Sequence, residues 1–276
     1  MSNSKTILIT GCSSGIGYTT ALLLKQRGYR VIASARQQHD VDRLRQEGFE
    51  AIRIDLADSA SIRLAVSEML IMTEGRIDAL FNNGAFGQPG AVEDLSRDVL
   101  RFQFETNFFG THELTNLLIP IMRRQGQGRI IYNSSVLGFV AMTYRGAYNA
   151  SKFALEGLAD TLRLELKGTG IHLSIIEPGP ILSDFRKNAF AIFKKNIEPS
   201  NSFHKERYAA METRLQKEGP AVPFTLPPEA VAEKVIHALE SQRPKIRYYV
   251  TFPTYLFGYL KRILPMSWLD TLLLKV

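Results

Sequence analysis

The sequence predicts an α/β chain: a doubly wound, mostly parallel sheet of Rossmann type with helices on both faces, in a single domain. Two observations carry this. Short β-branched runs alternate with helical stretches over most of the chain, and the first run passes directly into a glycine-rich turn. Parallel neighbours need a crossover, and crossovers are right-handed, so the alternation lays helices on both faces. The 276 residues, 45% of them hydrophobic, suffice for one large core.

The elements follow in order. Residues 5–10 (KTILIT) read as a buried strand, and residues 15–27 as a helix closed by Gly28. Strands are expected at 30–35, 50–54, 77–81, 129–133 and 171–176, the last stopping at Pro178. Helices are expected at 41–47, 59–73, 96–124 and 148–166. Residues 185–228 are rich in Phe and Lys, hold Pro199, Pro220, Pro223, Pro227 and Pro228, and show no clear strand. A helix at 229–240 and a last strand at 247–250 complete the domain, assigned to residues 1–250 with a substrate-binding segment at 184–228. Residues 251–276 form an amphipathic tail. Tyr255, Leu256, Tyr259, Leu260, Ile263 and Leu264 fall on one face, Pro265 interrupts, and Trp268, Leu269, Leu272 and Leu273 resume. Such a stripe packs on the protein more often than on a membrane surface, so peripheral membrane contact is the secondary expectation.

Composition excludes several classes. The net charge is +7, but no zinc-finger spacing or RNA-binding signature accompanies it, so a polyanionic cofactor is expected and nucleic acid is not. A lone cysteine, Cys12, allows no internal disulfide. No leader pattern and no apolar run of membrane-span length is found, so a cytoplasmic location is expected. No metal site is expected.

The turn Thr10-Gly11-Cys12-Ser13-Ser14-Gly15-Ile16-Gly17 lies between a buried strand and a helix. Glycines let the backbone approach a ligand, and a helix N-terminus offers free N–H groups and a positive dipole end to a pyrophosphate. Enzymes that prefer NAD place an acid at the end of the second strand; here Ala35 and Arg36 stand there. A guanidinium binds a 2′-phosphate where a carboxylate would repel it, so the cofactor expected is NADP(H). Downstream, Tyr148 and Lys152 are four apart on a helix, which sets an ammonium beside a phenol. A nearby positive charge favours phenolate and brings the phenol closer to working pH.

The TGxxxGIG turn and Tyr148-x-x-x-Lys152, with Ser135 thirteen positions before Tyr148, resemble the single-domain members of the short-chain dehydrogenase/reductase superfamily. The matches run from Thr10 to Ser183, about two thirds of the chain. The resemblance implies a Tyr148 general acid/base, a Lys152 that lowers its pKa and holds the nicotinamide ribose, and a Ser135 that donates to the substrate oxygen. It also implies that Asn107 holds a water linking the lysine to solvent. For the cofactor it implies Gly11, Ser13, Ser14, Gly15, Ile16 and Gly17 at the pyrophosphate, with Ser14 and Arg36 near the 2′-phosphate. Asp55 and Leu56 would lie at the adenine, Asn82 and Gly84 at the adenosine ribose, and Pro178, Gly179, Ile181 and Ser183 at the nicotinamide. Asn82-Asn83-Gly84-Ala85 departs from the family's NNAG by exchanging the last two residues.

Within the superfamily the motifs look like the 17β-hydroxysteroid and retinol dehydrogenase branch, and still more like bacterial NADP-dependent aldehyde reductases. The expected activity is interconversion of an apolar aldehyde or ketone and its alcohol. The alternatives are a steroid- or retinoid-type hydroxyl dehydrogenase and a non-catalytic NADP(H)-binding regulator. Phe86, Leu137 and Phe185 are expected to wall the substrate pocket, joined by Phe190, Phe193 and Phe203. In relatives the counterparts of 96–124 and 148–166 form a four-helix interface, so a homodimer or homotetramer is expected.

Overall fold

All four residues of the run TILI are buried and form strand β1 (Thr6–Ile9), which has no solvent-facing side. Strands covered on both faces read as continuous apolar runs rather than alternating ones. The computed structural model describes residues 4–217 and 219–275; the first three positions, position 218 within the expected substrate-binding segment, and position 276 at the end of the expected tail lie outside the described residues.

The chain continues through α1 (Gly15–Gln26), β2 (Arg30–Ala35), α2 (Gln38–Gln46), β3 (Glu50–Arg53), α3 (Ser59–Met72) and β4 (Ala79–Asn82). Next come α4 (Arg97–Phe104), α5 (Gly110–Gln125), β5 (Gly128–Asn133), α6 (Gly146–Glu165) and β6 (Ile171–Glu177). The last elements are α7 (Phe185–Asn196), α8 (Lys205–Gln216), α9 (Glu229–Glu240), β7 (Arg247–Tyr249), α10 (Phe252–Ile263) and α11 (Met266–Leu273). The seven strands are parallel in the order β3-β2-β1-β4-β5-β6-β7. Alternate strand residues feed two cores. Ile7 and Ile9 pack with Ala21, Leu24, Val231 and Val235 on one side, and Leu8 packs with Ile62, Met69, Leu114, Leu118 and Leu155 on the other. The winding direction reverses between β1 and β4, and that reversal opens a crevice at the carboxyl ends of the strands.

Three elements differ from the sequence reading. The helix expected over 96–124 is broken by a π turn at Glu105–Phe109, where the N–H of Gly110 bonds the carbonyl five residues back. The stretch 185–228 holds two helices, α7 and α8. Each buries only two side chains, Ala189 and Phe193 in one and Tyr208 and Leu215 in the other, too few to write a helical period. The tail is helical with a break at Pro265; Leu260, Leu269 and Leu273 of the expected stripe pack inward, but α10 also turns Thr254, Phe257 and Gly258 in and others of the stripe out. Thr254, Phe257, Gly258 and Leu269 are buried, while Tyr255, Leu256, Tyr259 and Ile263 are exposed. Gly258 sets the rotation: a Cβ there would lie 2.6 Å from the Tyr249 ring, so the glycine side turns inward.

The far edge of the sheet is tied to α6 by charge. Arg247 on β7 bonds Glu156, reaches Asp160 at 2.6 Å and reaches Glu177 at 2.7 Å. Burial raises both Glu156 and Glu177 above the ordinary carboxylate range, and Arg247 opposes it. Removing one partner of a buried pair leaves an uncompensated charge. Arg247→Met should therefore destabilise the chain by about 3 kcal/mol, the low end for such changes because Arg247 is partly exposed. Urea unfolding of the two proteins measures it.

Candidate functional site

The site is built where β1, β4, β5 and β6 end. Thr10 follows β1, and its hydroxyl oxygen accepts the N–H of Asn83 at 2.9 Å and of Gly84 at 2.8 Å. The Asn83 amide donates back to the Thr10 carbonyl at 2.9 Å and the Gly11 carbonyl at 3.2 Å. These bonds stitch the ends of β1 and β4 beneath the glycine turn. The turn is close-packed: a Cβ on Gly17 would lie 2.2 Å from the Gly11 carbonyl oxygen. Ser14 caps α1 in extended backbone, and its side chain makes no capping bond, so the first turn of the helix faces the crevice unsatisfied by it.

The predicted cofactor residues take distinct positions. Gly11 to Gly17 line the turn. Arg36 is exposed at the end of β2. Asp55 accepts the N–H of Ala57 at 3.0 Å, and buried Leu56 lies against Gly84. Asn82 turns its side chain into the core, where its amide donates to the Thr115 hydroxyl at 2.9 Å. Ser183 packs on Gly15, so the strap from Pro178 through Gly179 and Ile181 crosses the crevice opposite the turn. The strap is pinned by Val136, whose N–H donates to the Pro178 carbonyl at 2.8 Å, and by a bridge from Ile181 to Leu226. Sequence reasoning missed Arg43. This α2 side chain donates to the Ser13 carbonyl at 2.5 Å and sets a second cation beside the turn.

The other half of the site gathers around α6. Tyr148 stands in its first turn and Lys152 one turn further, the latter 3% exposed. The Lys152 ammonium donates to the Asn133 carbonyl at 2.7 Å and lies 5.6 Å from the Tyr148 ring centre. Ser135 accepts the N–H of Leu137 at 3.1 Å and lies beside the phenol. Burial pushes the Tyr148 phenol up to about 12, the reverse of the expected shift toward working pH; the Ser135 hydrogen bond and the charge of Arg145, not that of Lys152, oppose it. Burial lowers Lys152 to about 8, with the charge of Glu156 opposing. Arg145 was not foreseen. It precedes α6 in a non-helical conformation, so no spacing in the sequence ties it to Tyr148.

Asn107 sits in the π turn, 1% exposed. Its side chain clamps Phe86, accepting that residue's N–H at 3.1 Å and donating to its carbonyl at 2.9 Å, and also donates to Ser151 at 3.2 Å. The Phe86 ring packs on Phe102. Phe185 meets the Tyr148 ring edge-on with centres 5.4 Å apart. Leu137 joins Val140, Phe257 and Leu269 in a cluster that includes Tyr148, so the tail forms one shoulder of the site. Two other expected wall residues stand elsewhere. Phe193 fills a separate core with Ala91, Ile197 and Tyr208, and Phe203 is 91% exposed. Chemically, the crevice offers a cradle for a polyanion at one end and a hydroxyl, a phenol and two cations at the other. Two surface clefts, one around Asp78 and Arg129 and one around His172 and Ile246, lie at the amino ends of the strands, away from the crevice.

Comparison with known proteins bears on this arrangement. The family model of the short chain dehydrogenases matches residues 5–192. The uncharacterized oxidoreductase YbbO of Escherichia coli is 42% identical over 98% of this chain and 94% of its own length. Human 17-beta-hydroxysteroid dehydrogenase type 1 is 32% identical over 89% of this chain and 77% of its own length. Among solved structures, a short-chain dehydrogenase of Streptomyces avermitilis superposes with a TM-score of 0.77 at 28% identity, covering 95% of this chain and 94% of its own.

Proposed function

The chain belongs to the short chain dehydrogenase family of oxidoreductases, and from that premise we propose that it reduces apolar aldehydes or ketones to alcohols with NADP(H). The observation that carries the proposal is the convergence of Ser135, Tyr148 and Lys152 at the same crevice as the glycine turn. The turn residues would hold the pyrophosphate on the first turn of α1, and Arg36 with Arg43 would hold the 2′-phosphate. The cofactor, when bound, supplies or accepts the hydride.

The residues of the chain do the rest. Tyr148 holds a proton at neutral pH and gives it to the substrate oxygen. Ser135 donates a hydrogen bond to that oxygen as negative charge develops. Lys152 and Arg145 favour the phenolate that is left. Asn107 acts by holding Phe86, and so fixes the loop after β4 that roofs the site. Phe86, Leu137 and Phe185 line the substrate side, and apolar walls with a few fixed polar groups suit an apolar ligand.

The same reading covers assembly. Phe102 and Phe109, on and beside α4, and Phe153 on α6 are exposed, which supports a homodimer or homotetramer through these helices. No helix among the described residues is long and apolar enough to cross a membrane. Tyr259, Ile263, Met266 and Trp268 are exposed beside Lys261 and Arg262, which supports peripheral contact of the tail with a membrane surface.

Tyr148→Phe should retain NADPH binding and lose turnover by about 100- to 10,000-fold, the scale of a positioned acid. Near wild-type turnover in that variant excludes the mechanism. Arg36→Ala should weaken NADPH binding by about 1.5–3 kcal/mol and leave NADH nearly unchanged; equal loss for both shows that Arg36 does not see the 2′-phosphate. The raised phenol also fixes a pH dependence. Below a pKa of about 12 the proton stays on Tyr148, so carbonyl reduction should be level through neutral pH. Alcohol oxidation needs the phenolate, so its rate should climb with pH through the alkaline range. Initial rates in both directions from pH 6 to about 10 test the sign.

A further inference from the structure

The acid–base groups come from two elements. Tyr148 and Lys152 stand on α6, whereas Ser135 opens the short turn Val136–Gly138 after β5. Their relative placement needs ties between that turn and the helix. One tie is the bond from the Lys152 ammonium to the Asn133 carbonyl at 2.7 Å. Backbone bonds of the turn run the other way, toward β6 and the strap. The Ser134 N–H donates to the Ile176 carbonyl and the Val136 N–H to the Pro178 carbonyl, each at 2.8 Å.

A second tie to α6 is available at Glu156. It lies four residues past Lys152 and eight past Tyr148, so the three share a face of the helix. Its Oε2 accepts from Arg247, while its Oε1 is buried and has no hydrogen-bond partner among the described residues. The Ser134 hydroxyl is in the same condition: buried, and without a partner among the described residues. Both oxygens come to one place. A Cβ on Gly138 would lie 2.6 Å from the Ser134 Oγ and 3.1 Å from the Glu156 Oε1, so the two flank the same bare Cα. One is a donor whose hydrogen rotates freely and the other an acceptor with a lone pair to spare. Each left unpaired in the interior costs desolvation that their bond would recover. Burial raises Glu156 above the ordinary carboxylate range, and the Ser134 hydroxyl, with Arg247, opposes the rise.

We propose that the Ser134 hydroxyl and the Glu156 carboxylate form a latch between the turn after β5 and α6, and that this latch sets Ser135 against Tyr148. Both are positioning residues, acting through Ser135 rather than on the substrate. The proposal rests on the reading of Ser135 and Tyr148 as the groups that meet the substrate oxygen. Ser135 follows Ser134 directly, so a shift of one carries the other. Two hydroxyls must reach one oxygen together, and a misplacement of about 1 Å lowers the rate steeply. Gly138 fits the same picture, because the latch occupies the space its side chain would take.

Steady-state reduction of the fastest substrate in a panel of straight-chain aldehydes tests this, with NADPH binding followed separately by titration calorimetry. Ser134→Ala should lower kcat about tenfold and leave the NADPH dissociation constant within about twofold. Ser134→Thr keeps the hydroxyl and should recover most of the rate. Gly138→Ala puts a methyl group into the latch and should match the loss in Ser134→Ala. Adding Ser134→Ala to Glu156→Ala should cost little more than Glu156→Ala alone, because both remove one bond. If Glu156→Ala does not fold, the same comparison is made with Gly138→Ala. Wild-type kcat in Ser134→Ala overturns the proposal, as do losses that add in full or a loss confined to NADPH affinity. If the wild type reduces no aldehyde, the reductase reading falls, and urea unfolding of the same set judges the latch alone. There, non-additive losses uphold the Ser134–Glu156 bond and additive ones overturn it.

Discussion

The Thr10 hydroxyl is the joint on which the rest of the site depends. It accepts two backbone N–H groups from the end of β4 and so binds the two strands on either side of the reversal in sheet order. Buried N–H groups left unpaired cost about as much as a lost hydrogen bond, so the chain cannot splay there without penalty. With the two ends fixed, the glycine turn has one path over them, and Gly17 packs on Gly11 with no room for a Cβ. The same fixed floor places the loop after β4, with Phe86, within reach of Asn107 in the π turn. The polyanion cradle and the roof of the acid–base site thus share one anchor.

Much of this was legible in the sequence because parallel strands announce themselves. A run such as TILI is apolar on both faces only when helices cover both, and the turn that follows it is glycine-rich because the backbone must approach itself. The spacing of Tyr148 and Lys152 was legible for the same kind of reason, since a helix aligns residues four apart. In the tail the inward side of α10 was misplaced, while Leu260, Leu269 and Leu273 face inward as read. Periodicity counts large apolar residues, and the inward face is set by Gly258, whose missing side chain admits the Tyr249 ring. In α7 and α8 two buried residues per helix leave no period to detect.

The site residues show a finer limit. Asn82 sits in the motif expected at the cofactor, yet its side chain serves the core through Thr115, which also accepts from the Tyr132 hydroxyl. A strand alternates faces at every residue, so a motif names the segment without naming which of its side chains reach the crevice. Arg43 and Arg145 were illegible for the opposite reason. A lone arginine in a sequence reads as a solvated surface group, and only the tertiary path brings the first to the Ser13 carbonyl and the second beside a buried phenol.

The electrostatics of the site follow from where its charges find relief. Lys152 is enclosed and donates a hydrogen bond to the Asn133 carbonyl, with Glu156 one turn further along α6. Glu156 in turn is held by Arg247 at the sheet edge. Lys152 is thus held by the backbone as well as lying 5.6 Å from the Tyr148 ring centre. The charge of Arg145 opposes the burial that raises the Tyr148 phenol. A ligand that supplied negative charge beside the phenol would change the proton affinity of Tyr148 directly, whereas one that did not would leave the phenol under the pull of Arg145.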